Sequence, residues 1–215
     1  KAVNRKVVLS SVPARAPWVE SAVMAAGFFL LLYAAYSPAL TNPLVDKIHA
    51  LHAATFLSMA FLIGSLSRFW PDAFNPLKPY RQTLGVLGVL SAAAHVFMVY
   101  VPLGWNPSGW TLVFGAFVFV LFLVMAVTSN HAAVQKLGYP LWKRIHLLGY
   151  FALLLLAVHF VLAETKKGVF SLSPVESAVL ALVVVTLLAR AAVFLAGHPM
   201  RQSYDAHFGS KRVSF

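Results

Sequence analysis

From position 18 to position 196 the chain repeats one pattern: an apolar run of about 20 residues, then a short polar or proline-broken connector. A run of that length, wound as a helix, crosses the hydrocarbon core of a bilayer. Lipid offers no partner to backbone N–H and C=O groups, so such runs must satisfy them internally as helices. Composition agrees with this reading. Only 11% of residues are charged and 60% are hydrophobic, whereas soluble domains carry ~25% charged residues. The expected fold class is all-α, a polytopic membrane protein built as a six-transmembrane-helix bundle.

The predicted helices cover 18–36, 45–66, 83–101, 110–127, 141–162 and 174–196. The breaks between them are chemically plain. Ser37-Pro38 and Thr41-Asn42-Pro43 end the first, and PLGWNPSG forms a tight turn before the fourth. SRFWPDAFNPLKPYRQ, 67–82, is expected to be a proline-broken polar loop, and Lys136, Lys143 and Arg144 mark a basic hinge before the fifth helix. Ser173-Pro174 with Glu176 is a strong helix start. The apolar run after the basic first segment is long and lacks a small-residue cleavage site, so it reads as a retained helix and not as a signal peptide. The domain reading is a basic cytoplasmic segment at 1–17, a membrane domain at 18–196 and a basic cytoplasmic tail at 197–215. Little chain is left over for a nucleotide- or flavin-binding fold.

The net charge of +11 is spread through the connectors. That is the distribution of membrane topology, with anionic lipid as the neighbour, and it excludes a nucleic-acid face. In the six-helix arrangement fourteen of the seventeen Lys and Arg residues fall on one side, against Lys47, Lys166 and Lys167 on the other. The positive-inside rule then places both termini in the cytoplasm. The absence of cysteine excludes iron–sulfur clusters, thioether-linked haem, disulfides and thiol catalysis. Midplane acids and broken helices, the marks of a transporter, are missing, because Asp46, Glu164 and Glu176 sit at helix ends.

Histidine remains as the metal ligand, and an ionisable residue within a span is a functional candidate by default. His95 lies 14 residues beyond Arg81, and His159 lies 15 beyond Arg144. At ~1.5 Å per residue both stand roughly 21–23 Å above those inner arginines. Two level imidazoles on parallel helices suit an iron held between neutral nitrogens in the core of a bundle. The competing reading for each is an interhelical hydrogen bond. His52 and His49, on the antiparallel second helix, reach a similar height. They are alternative ligands, propionate partners or proton-handling groups at a quinone site. His146 lies near the inner face, about 140° around the helix from His159. A haem bound there needs another partner, such as His131, or is five-coordinate. Arg81, Lys143 and Arg144 are topology determinants and secondary candidates to pair with haem propionates.

The stretches LGVLGVLSAAAH, VTSNHAAVQKLGYPLWKRIHLLGYFALLLLAVHF and DKIHALH, within 42–164, resemble the ferric-reductase-like transmembrane family. The likeness is nearest to its small haem-binding membrane subunits of periplasmic methionine-sulfoxide reductase systems. The resemblance implies a b-type cytochrome domain (heme b) in which His95, His146 and His159 fall on three shared histidine positions. Larger members carry a fourth, which this chain lacks, so one haem is expected and two are open. It also implies an electron-transfer subunit of the bacterial inner membrane and not a complete enzyme. The donor would be quinol or a separate flavin reductase, and the acceptor a periplasmic molybdopterin-type reductase. Quinone and FMN are further cofactor candidates. The alternative is a haem-containing anchor or assembly subunit of a larger membrane redox complex.

Overall fold

The computed structural model describes residues 43–100, 109–165 and 172–196. The predicted helix at 18–36, the turn at 102–108 and the basic tail lie outside them. All the regular structure described is helical: α1 (Pro43–Phe69), α2 (Pro71–Phe74), α3 (Tyr80–Tyr100), α4 (Trp110–Thr128), α5 (His131–Leu137), α6 (Tyr139–Thr165) and α7 (Pro174–Leu195). Five of these, α1, α3, α4, α6 and α7, are long and apolar enough to cross a membrane. The chain is therefore a multi-pass membrane protein.

Each long helix packs on the next, α1 on α3, α3 on α4, α4 on α6 and α6 on α7, and α7 returns to α1, so the five close into a ring. Hydrophobicity cannot drive helices together in lipid; close approach and interlocking side chains do. Gly88 shows this at the α1–α3 seam, where a Cβ would lie 2.6 Å from Cγ of Leu57. Leu57, Val118, Phe122, Met125, Ala152 and Leu153 fill the middle of the ring. The outward faces of α4 and α6 expose Phe117, Val120, Leu123, Phe151 and Leu154, as lipid-facing surface requires.

Two connectors differ from the sequence expectation. The 67–82 segment is mostly helical: α1 runs on to Phe69, α2 follows, and Asn75–Leu77 forms a 3-10 turn. Pro71 and Pro76 both stand in the first turn of their elements, where a fixed φ and a missing N–H cost nothing. The basic hinge contains α5. Asn130 caps it by accepting from the Ala133 N–H at 2.8 Å, and Gly138 ends it at φ 72°. A left-handed φ there favours glycine and separates α5 from α6. The start of α7 matches its sequence signal. Ser173 and Glu176 form a reciprocal capping box, with Pro174 at the first helical position.

Candidate functional site

One end of the ring, where α1 and α4 begin and α3 and α6 finish, is hollow. It holds a cavity of about 410 Å³, within the range of cofactor pockets. Small side chains make the room: Ala50, Ala53 and Ala54 on α1, Ala92 on α3, Gly115 on α4 and Ala163 on α6 all line it. His95 and His159 face each other from α3 and α6, with ring centres 6.5 Å apart and planes inclined at 68°. Both rings line the cavity.

Each ring is held by its Nδ1. His159 Nδ1 donates to the Thr111 carbonyl at 3.0 Å, because a carbonyl can only accept. His95 Nδ1 stands 2.6 Å from Oδ1 of Asp46, on the first turn of α1. The Nδ1–H tautomer leaves the Nε2 lone pair as the metal-binding one. Gly115 fits the same pattern: a Cβ there would sit 2.8 Å from Cε1 of His159. Glycine at 115 lets the imidazole lie against the α4 backbone.

The dimensions fit a haem. Two imidazoles bonded to opposite sides of one metal ion at ~2 Å have ring centres roughly 6 Å apart. Among the described residues no three metal-ligating side chains converge. Two histidines without a third protein donor suit a metal whose remaining ligands come from a macrocycle. The cavity walls are mainly aliphatic, and Asp46, Lys47, Glu164 and Glu176 are the charged members of the lining. Lys47 there pairs with Glu176 and lies 4.0 Å from Glu164.

The other end of the ring is filled. Arg81 reaches from the first turn of α3 against Gly64, where a Cβ would meet its Cζ at 2.8 Å, and its Nε donates to the Ala60 carbonyl at 2.8 Å. Phe61 crosses to α6, stacks edge-on with Tyr150 at 4.9 Å and occupies the space beside Gly149. His146 is hydrogen-bonded to Ser129 Oγ and to the Trp142 carbonyl, each at 3.0 Å, and lies 4.1 Å centre to centre from the Trp142 ring. This end is also strongly basic. Lys78, in the turn before α3, is held below the usual lysine range by partial desolvation, then by Arg68 and Arg81.

Of the residues singled out from sequence, the fold brings His95 and His159 together and keeps His146 at the opposite end. His49 and His52 lie on α1 between cavity-lining turns but are not part of the cavity wall. Arg81 and exposed Arg144 lie at the filled end, and the cation at the cavity is Lys47. Sequence reasoning missed Asp46 and Gly115 as parts of the site. Asp46 carried a faint signal as an acid in the DKIHALH turn, whereas Gly115 carried none within an unbroken apolar run.

A ring of membrane-length helices with two imidazoles facing each other across a largely apolar cavity defines a polytopic helical membrane protein with an interhelical chamber. The chain belongs to the ferric reductase like transmembrane component family, whose sequence pattern matches residues 49–157. It is 32% identical over 148 residues to the protein-methionine-sulfoxide reductase heme-binding subunit MsrQ of Agrobacterium fabrum, covering 61% of this chain and 66% of that one. MsrQ of Pasteurella multocida is 30% identical over 131 residues, covering 56% of this chain and 62% of that one. The magnetosome protein MamZ of Magnetospirillum gryphiswaldense is 30% identical over 124 residues, covering 52% of this chain. The chain spans 19% of MamZ, and just under two thirds of the two MsrQ proteins.

Proposed function

We propose that the chain is a membrane cytochrome subunit that holds one b-type haem between His95 and His159 and carries electrons across the bilayer. The observation that supports this most is the 6.5 Å pairing of the two rings across the cavity. A haem iron with two imidazole ligands supplies one-electron transfer without binding substrate. The residues supply the rest. Asp46 and the Thr111 carbonyl fix the tautomer and tilt of the rings, and the aliphatic walls keep water out. Packing of Arg81, Phe61 and Tyr150 at the other end favours one haem over two.

The names of the MsrQ relatives support a partner that reduces methionine sulfoxide, here taken as a molybdopterin-type protein on the periplasmic side. The basic end, with Arg68, Lys78 and Arg81, is the side for a quinol or a flavin reductase as donor, and both termini lie there in the cytoplasm. The test is a reduced-minus-oxidised spectrum with a pyridine haemochrome count on the purified chain. One low-spin b-type haem per chain is expected, reduced by quinol or a flavin reductase and not by NADPH alone. No haem, or rapid reduction by NADPH alone, overturns the reading. Because the chain has no cysteine, Ser108→Cys gives a single label site, and an impermeant reagent should reach it in intact cells.

A further inference from the structure

The two rings are held unequally. His159 gives its Nδ1–H to a neutral carbonyl, that of Thr111. His95 meets a carboxylate, Asp46, at 2.6 Å, shorter than an ordinary N–H···O bond, and charge assistance shortens such bonds. The Lys47 beside it in sequence does not neutralise that carboxylate, because it is committed to Glu176 and Glu164. Among the described residues the only ion-pair partner of Asp46 is His95. Asp46 belongs to a different helix from His95, so the contact exists only when α1 and α3 are packed together, and it ties them at the cavity.

We propose that Asp46 acts through His95 as a positioning residue that lowers the reduction potential of the site. This rests on the reading of His95 as an axial ligand. A carboxylate accepting from Nδ1 draws the proton towards itself and leaves imidazolate character on the ring. The Nε2 lone pair becomes a stronger donor and favours the ferric over the ferrous state. A backbone carbonyl does the same far more weakly, so His159 is the ordinary ligand and His95 the tuning one. An electron arriving at the site is thereby made easier to pass on.

The test is Asp46→Asn in the full-length chain, read by redox titration against the unmodified protein. Asparagine keeps an acceptor of the same shape and removes the charge. The variant should retain a low-spin spectrum, and its reduced-to-oxidised ratio at fixed ambient potential should rise about tenfold, equivalent to about 59 mV for one electron. Asp46→Glu should restore most of the lost effect. Glu164→Gln removes a carboxylate that also lines the cavity and lies beside Lys47, and should move the ratio much less. An equal shift in Glu164→Gln, or none in Asp46→Asn, overturns the proposal. Should the asparagine variant lose haem, the unmodified ferric protein still decides. Its near-infrared charge-transfer band should lie where one ligand has imidazolate character, and a band typical of two neutral imidazoles overturns the proposal. If the unmodified chain binds no low-spin haem, the ligand assignment itself has failed, which is a distinct result.

Discussion

The two ends of the ring are made from the same helices and differ in what the helices spend on their inner faces. At the cavity end α1, α3, α4 and α6 present alanine and glycine, and two histidines face each other across the gap. At the basic end the same helices present Phe61, Arg81, Trp142 and Tyr150, and His146 is bonded to its own surroundings. A histidine within a span is thus not enough to make a site. What separates His159 from His146, 13 residues earlier on one helix, is the size of the side chains opposite.

The comparison can be broken most directly at the histidines. Either His95→Ala or His159→Ala should lose most of the haem, or turn a low-spin spectrum towards high-spin, as read by pyridine haemochrome and visible spectroscopy. Retention of a full low-spin spectrum in both would place the site elsewhere. Next in size is Gly115→Leu, whose side chain would start 2.8 Å from the His159 ring and claim the cavity. Haem content should fall sharply, while Gly85→Leu, where an added Cβ meets nothing within 4 Å, should leave it unchanged.

At the filled end the expected effects are on stability and not on the spectrum. Arg81→Ala removes a half-buried guanidinium bonded to the Ala60 carbonyl and should cost about 1.5–3 kcal/mol. A detergent-solution melting curve should show this with the haem spectrum intact. The smallest effect should come from His146→Ala. Losing its bonds to Ser129 and Trp142 should cost about 1 kcal/mol, and the haem count should stay at one. Loss of a second haem in that variant would mean that the filled end opens when loaded.

Much of this could be read from the chain and some could not, for definable reasons. The positions of the five described spans follow from run length alone, so α1, α3, α4, α6 and α7 begin and end within a few residues of expectation. The equal height of His95 and His159 follows from helix rise and a shared basic boundary. The connectors were less legible because proline inside a first turn looks like proline that breaks a helix. Lateral position was not legible at all. Helix rise cannot say that His52 stays off the cavity wall while Asp46 reaches across to His95. Nor can an apolar run reveal that Gly115, and no neighbouring residue, lies under an imidazole.

The closing of the ring by α7 on α1 has a consequence for biogenesis. Direct contact between α1 and α6 is slight compared with the contact each makes with α7. Val179 and Val183 of α7 pack with Ala54 of α1, close to Leu156 and Ala157 of α6. Among the described helices α7 is made after the other four, so a chain that stops short of position 174 lacks the element that bridges α1 and α6. Packing of α7 against both helices closes that gap. A chain lacking α7 should therefore expose Ala54, Leu156 and Ala157 to lipid.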